Sequence, residues 1–142
     1  MSFRPRNVAV LALTALFAGS CGSETSFPKP PAQATIKMEE FRFEASGLGE
    51  GRTLVTLENA GRLQHQLTLI TLAKDVPPLA EQLRSEKRRG APTVVLLLRP
   101  PGTTTRFAVD LAPGRYGLVC LLTGPDGEQH GLKGMTYDFT VG

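Results

Sequence analysis

This sequence has few sulfur-containing and imidazole side chains, and three of them lie close together near its C-terminus. Only two Cys, two His and three Met occur in 142 residues. Cys120 lies in an apolar run, His130 follows in a Gly-rich segment, and Met135 precedes the last apolar stretch. The other histidine, His65, opens the apolar run HQLTLITL. These four side chains are the candidate metal ligands.

The donor types indicate which metal such a group would hold. A thiolate, two neutral imidazoles and a weak axial thioether form a set that selects copper, as Cu+ or Cu2+. Zinc accepts Cys and His but gains little from Met, and calcium and magnesium prefer oxygen ligands. Taken singly, each residue has a simpler interpretation: a small buried Cys, a Met in the core, a His at a turn or on the surface. Together they predict a mononuclear copper site.

The segments that would position these residues are mostly strand-like. Apolar and polar residues alternate in RTLVTLEN, HQLTLITL is apolar on both faces as a central strand can be, and Gly or Pro stands in nearly every gap. About seven short strands with such turns predict an all-β fold, a β-sandwich. The segment ATIKMEEFRFEA changes phase at Glu39-Glu40, which predicts a β-bulge within one strand.

One segment differs from the rest. Residues 75–90, DVPPLAEQLRSEKRRG, predict one short helix inserted in the β fold near residues 77–89. Pro78 suits a first helical turn, Leu79 and Leu83 share one face, and the basic end complements the helix dipole. We expect this basic end to be a solvated face; a docking patch for an acidic partner or lipid headgroups is the alternative.

The N-terminus is typical of an exported protein. Arg4 and Arg6 precede an apolar run that is shorter than a membrane span, and small residues follow. The stretch Ala18-Gly19-Ser20-Cys21 resembles a bacterial lipoprotein cleavage region, although Ala18 stands where Leu is usual. This pattern predicts an extracytoplasmic protein whose Cys21 is lipidated and anchors it to a membrane. Ordinary secretion into the periplasm or medium, with cleavage nearby, is the alternative.

The chain therefore divides into a signal peptide (1–20), a flexible Ser- and Pro-rich tether (21–33) and one folded domain (34–142). Two of the 16 basic residues and none of the 13 acidic residues precede Cys21, so the remaining chain carries a formal charge of +1. That charge gives no reason to expect nucleic acid binding. A lipidated Cys21 would leave Cys120 without a disulfide partner, which implies burial, intermolecular pairing or metal binding. A Cys21–Cys120 disulfide is the competing possibility.

Three segments resemble the cupredoxins, the family of blue copper proteins. NAG at 59–61, followed by His65, resembles their first-histidine segment, and APGRYGLVC resembles their penultimate strand, which ends on the ligand Cys. HGLKGM followed by TYDFTV resembles their closing His–Met pattern. The resemblance covers nearly all of residues 34–142 and implies a Greek-key β-sandwich with copper at one end. The ligands it implies are His65, Cys120, His130 and Met135.

The sequence departs from this family between the Cys and the second His. The usual gap is only a few residues, whereas LLTGPDGEQ separates Cys120 from His130. The turn signal GPDG could fold the insert back and return His130 to the metal, or leave His130 outside the site. Asn59 also has two interpretations. It is either a turn former or a buried hydrogen-bonding residue that supports the site by tying the His65 loop to the Cys120 strand.

The resemblance implies one-electron transfer with a redox protein partner. Two other functions fit the same residues: a copper carrier that hands Cu(I) to a partner protein, and a metal-free binding module. No nucleophile elbow, paired carboxylates or phosphate loop stands out, so we predict no catalytic residues and no enzyme activity.

Overall fold

The computed structural model describes residues 29–85 and 92–142. Within them, eight strands form two four-stranded sheets, in the orders β2-β1-β3-β6 and β5-β4-β7-β8, and one short helix precedes β5. The elements are β1 (Ala32–Glu39), β2 (Arg42–Ser46), β3 (Gly51–Asn59), β4 (His65–Leu72), α1 (Leu79–Arg84), β5 (Thr93–Arg99), β6 (Thr104–Leu111), β7 (Gly114–Val119) and β8 (Thr136–Val141). Strands β1 and β3 pair in parallel, and the other paired strands are antiparallel. The predicted all-β sandwich with one inserted helix is confirmed.

The predicted signal peptide, the lipidation site Cys21 and most of the predicted tether lie outside the described residues. Strand β1 begins at Ala32, two residues before the predicted start of the domain, and its first two side chains are exposed. No helix in the described ranges is long and apolar enough to cross a membrane.

The core lies between the two sheets, where alternate residues of each strand point inward. In β1 these are Ala34, Ile36 and Met38, and in β3 they include Val55 and Leu57, all buried. Because successive side chains of a strand point to opposite faces, this alternation leaves the intervening residues for solvent. The rows of inward-pointing side chains end at the same end of the sandwich as the candidate ligands.

Helix α1 explains why β4 is apolar on both faces. One face of β4 packs into the sandwich core, and the residues near its end pack beneath α1 through Leu72, Leu79 and Leu83. A Cβ on Gly117 of β7 would lie 2.3 Å from a methyl carbon of Leu79, so the glycine makes room for the helix to pack closely on β7. The helix ends at Arg84, because Ser85 is extended, and the predicted basic end at 87–89 lies outside the described residues.

The predicted bulge at Glu39-Glu40 is wrong. The segment instead contains two strands, β1 and β2, which pair antiparallel with Met38 opposite Phe43 and Glu39 opposite Arg42. Glu40 and Phe41 form the turn between them. The change of phase in the sequence marks this reversal of the chain, since a tight turn resets which face each side chain takes.

Candidate metal centre

His65 is the first residue of β4 and is fully buried. The loop before it is held by the side chain of Asn59, which is also fully buried. The Asn59 amide nitrogen donates to the carbonyls of Leu63 and Arg99, each at 2.9 Å, and its oxygen accepts from the Gly61 N–H at 3.0 Å. Asn59 is thus the buried alternative of the two predicted, but it ties the His65 loop to the end of β5. The bonds seen do not reach the Cys120 strand.

Cys120 directly follows β7 and is fully buried. The backbone N–H of Gln66, next to His65, donates to its Sγ atom at 3.3 Å. This bond lies just beyond the paired part of β4 and β7 and holds the two candidate ligands near each other. The Cys120 N–H donates to the Met135 carbonyl at 3.2 Å, and the Cys120 carbonyl accepts from Gly131 at 2.8 Å. The Cys120 backbone is therefore fixed on both sides, and its sulfur accepts one hydrogen bond, from Gln66.

The insert between Cys120 and His130 folds back on itself as a small hairpin. Thr123 and Gln129 form an antiparallel bridge, and the Gly124 N–H donates to the Glu128 carbonyl at 2.8 Å. Gly127 has φ +82°, a conformation that glycine adopts without strain. The hairpin closes where the His130 N–H donates to the Leu122 carbonyl at 2.9 Å. Of the two predicted outcomes, the structure shows the one in which His130 returns to the thiol.

The three strongest candidate donors converge at one point. The Nδ1 atoms of His65 and His130 are 3.2 Å apart, and the Cys120 Sγ is 3.5 Å from the His130 Nδ1. One donor atom from each residue lies within 4.8 Å of the other two, and all three residues are buried. Met135 is fully buried beside them, and its N–H donates to the His130 carbonyl at 3.0 Å.

This spacing fits a single metal ion. Bonds of about 2.0–2.3 Å, as in zinc sites, place three trigonal ligands roughly 3.5 Å apart. The observed separations of 3.2 Å and 3.5 Å are close to that value. Both inward imidazole atoms are Nδ1, so each ring can offer a lone pair there while Nε2 carries the proton. The donor set of sulfur and imidazole fits copper as the cofactor.

Burial sets the protonation states that metal binding requires. Burial, reinforced by His130, lowers the pKa of His65 although Glu40 opposes it. Burial, reinforced by Lys133, likewise lowers the pKa of His130. Both imidazoles are therefore neutral near pH 7, as ligands must be. Burial raises the pKa of the Cys120 thiol more than its backbone hydrogen bonds lower it, so metal binding would release its proton.

Two residues around the group were not identified from the sequence. Glu40 lies with an oxygen 3.6 Å from the His65 Nε2, and the Phe41 ring meets the His130 ring edge-on at 5.1 Å. Both belong to the β1–β2 turn. The only sequence feature that pointed to this segment was the change of phase at Glu39-Glu40. That feature indicated an irregularity in the strand but not which residues the segment contacts.

The comparisons with known proteins bear on the fold. No family model matches the chain, and a search of curated proteins finds no match. Among solved structures, the chain is similar to the dithionite-reduced auracyanin of the photosynthetic bacterium Roseiflexus castenholzii, at 18% identity and a TM-score of 0.51. This match covers 76% of this chain and 94% of that one. It is also similar to auracyanin B, at 18% identity and a TM-score of 0.50, covering 82% and 93%. Auracyanins are cupredoxins, and this protein therefore has the predicted cupredoxin fold.

Proposed function

We propose that this protein is an extracytoplasmic copper protein that carries single electrons. His65, Cys120 and His130 would hold the metal, and Met135 would add the weak axial sulfur. The observation that carries the proposal is the convergence of one thiol and two imidazole Nδ1 atoms in a buried group. The fold shared with auracyanins supports it.

Copper, when bound, supplies a couple between Cu(I) and Cu(II). The contribution of the chain is to hold the ligands in one arrangement for both states. The Asn59 amide fixes the loop that leads to His65, the Gln66 N–H fixes the Cys120 sulfur, and backbone bonds fix His130. Ligands held in this way move little when the charge changes, which favours fast electron transfer.

The burial of the group favours an electron carrier over a protein that hands copper to a partner. His65, Cys120 and Met135 are fully buried and His130 is only 2% exposed. A partner that takes up copper must approach the ligands, whereas an electron can cross a thin layer of protein. We also propose that the protein is exported and anchored to a membrane through Cys21, and that it has a redox protein partner. These parts of the proposal are supported by the sequence alone.

Addition of Cu(II) to the purified protein, followed by visible spectroscopy, tests the proposal. We expect one equivalent of copper and an intense thiolate-to-copper band that disappears on reduction and returns on oxidation. Replacing Cys120 by Ser should abolish the band, and replacing His130 by Ala should change or abolish it. The matched control is Cys21→Ser, which removes the other cysteine and should leave the band intact.

Other results would contradict the proposal in distinct ways. A colourless protein that binds only Cu(I) would indicate copper carriage. A protein that binds no stoichiometric copper, and whose melting temperature copper does not change, would indicate a metal-free binding module.

A further inference from the structure

A carboxylate stands behind one of the two imidazoles. Glu40 Oε1 lies 3.6 Å from the Nε2 atom of His65, on the side of the ring opposite Nδ1. The same oxygen accepts the backbone N–H groups of Arg62 at 2.5 Å and Leu63 at 2.9 Å. Two backbone donors on the loop before His65 therefore hold the carboxylate in place.

The His65 Nε2 atom needs an acceptor. It is buried, and within the described part of the chain it has no hydrogen-bond partner. Its 3.6 Å separation from Glu40 Oε1 is slightly too long for a hydrogen bond. In a neutral ring whose Nδ1 lone pair faces a metal, Nε2 carries the hydrogen and is a donor. A buried donor without an acceptor is destabilising, so a small approach of Glu40 toward the ring would be favourable.

Gly61 makes room for this approach. A Cβ at Gly61 would lie 2.6 Å from Glu40 Oε1 and 2.9 Å from His65 Nε2, so a side chain there would stand beside both groups. The space that glycine leaves lets the carboxylate and the imidazole face each other directly.

Glu40 differs from its acidic neighbours in the same hairpin. Glu39 pairs with Lys37 and Arg42, and Glu44 pairs with Arg42, in contacts on the surface. Glu40 instead binds backbone amides and faces a buried ring. The two backbone N–H groups of Arg62 and Leu63 that donate to Glu40 favour its ionised carboxylate form.

We propose that Glu40 is a positioning residue for the metal centre, which accepts the Nε2–H of His65 and completes a carboxylate–histidine–copper arrangement. Such carboxylates fix ring orientation and raise ligand basicity. The negative charge stabilises the dipositive ion more than the monopositive one, so Glu40 lowers the reduction potential. This inference rests on the proposed function, since it assigns a role at the same site.

The test compares Glu40→Gln with Glu44→Gln in the purified protein. Both substitutions remove one negative charge from the β1–β2 hairpin, and in Glu40→Gln the amide oxygen of the new side chain can still accept from the loop. We expect Glu40→Gln to weaken Cu(II) binding about 10- to 100-fold and Cu(I) binding less. Each tenfold fall in the ratio of Cu(II) affinity to Cu(I) affinity raises the reduction potential by about 59 mV. Glu44→Gln should leave both quantities near those of the wild type.

A readout without copper redox chemistry is the affinity for Co(II), which should fall in Glu40→Gln and not in Glu44→Gln. If Glu40→Gln fails to fold, Glu40→Asp keeps the charge but shortens the side chain, so that the carboxylate no longer reaches His65, and it should shift the potential in the same direction. Wild-type protein that binds no copper would overturn the proposed function. Wild-type protein that binds copper while Glu40→Gln behaves like Glu44→Gln would overturn only the role of Glu40.

Discussion

The two imidazoles present the same nitrogen atom to the candidate metal centre but lie in contrasting surroundings. Each turns Nδ1 toward the other ring and Cys120, and each turns Nε2 toward a glycine, Gly61 at His65 and Gly124 at His130. Polar groups surround the outer side of His65. His130 instead sits behind the hairpin of the insert, against an aromatic ring.

The difference shows that one ligand geometry can be reached by two kinds of support. The His65 loop depends on a buried polar network, and every lost hydrogen bond there strands its partner. The His130 loop depends on its own backbone bonds and on ring packing, which fail more gradually. Damage to the His65 side should therefore cost more than equivalent damage to the His130 side.

Replacing Asn59 by Ala should give the largest effect. The substitution leaves the Leu63 and Arg99 carbonyls and the Gly61 N–H without their partner. We expect the free energy of unfolding to fall by about 2–4 kcal/mol, measured by chemical denaturation, because each stranded buried group costs about 1–3 kcal/mol and water can satisfy some of them.

The matched substitution on the other ligand loop is Thr123→Ala, at an exposed position in the insert hairpin. It should change the free energy of unfolding by less than about 0.5 kcal/mol. Equal losses from Asn59→Ala and Thr123→Ala would remove the distinction between the two regions.

Acidification should destabilise the metal-free protein, which can be prepared with a chelator. Burial lowers the pKa of both His65 and His130, so the unfolded chain takes up protons that the folded state does not. The stability is therefore complete above about pH 6.5, the ordinary pKa of imidazole, and falls as the pH decreases toward the folded-state values. The loss is at most about 1.4 kcal/mol per pH unit for each imidazole, measured by denaturation between about pH 7 and 5.

Two substitutions measure how much of this pH-dependent loss of stability comes from each histidine. His65→Asn and His130→Asn should each remove part of the pH dependence, and a smaller share for His65 would show that Glu40 offsets its burial. An unchanged slope in both variants would mean that neither imidazole is held neutral by the fold.

The contrast between the regions also explains what could be predicted from the sequence. The donor types, the strands and the position of the helix follow from local signals: the alternation in β3, the Pro-Gly turns and the spacing of Leu79 and Leu83. The convergence of His65 with Cys120 followed from the resemblance to a known family. These features depend on side chains that lie close together in sequence or in a familiar order.

The support of the site could not be predicted in the same way. Glu40 reaches His65 across 25 positions because β1 turns into β2, and the phase change at Glu39-Glu40 fits a bulge as well as a turn. Asn59 reaches Arg99 only after β4 and β5 pair. The path of the insert depends on the bridge between Thr123 and Gln129, for which the sequence offers only a turn signal. Each of these is a tertiary contact without a local pattern.

Substituting Gly61 and Gly124, the glycines beside the Nε2 atoms of the two histidines, should have a smaller effect and tests the comparison more directly. Gly61→Ala places a methyl 2.6 Å from Glu40 Oε1 and 2.9 Å from the His65 Nε2, so both groups must move and the carboxylate loses bonds to the loop, at a cost of about 1–2 kcal/mol. Gly124→Ala meets an exposed Asp126 oxygen at 2.9 Å and the His130 Nε2 at 3.3 Å, so a slight shift suffices and the cost should be under about 1 kcal/mol. Thermal denaturation of both variants gives the comparison. A larger loss for Gly124→Ala would mean that the insert hairpin is the more rigid of the two supports.

Replacing Phe41 by Leu should have a small effect on stability, and it acts on the His130 side alone. The ring of Phe41 packs edge-on against His130, and the Lys133 ammonium lies 4.6 Å from its centroid. Losing these aromatic contacts while keeping an apolar side chain should cost about 1 kcal/mol in the free energy of unfolding. His130 should then become more mobile, which paramagnetic resonance of the Cu(II) form would detect as a broader distribution of sites. Because Glu40 and Asn59 still hold His65, its ring should keep its orientation, which NMR of the Cu(I) form can check. Loss of order at both rings would mean that Phe41 supports the centre as a whole and that the two regions are not independent.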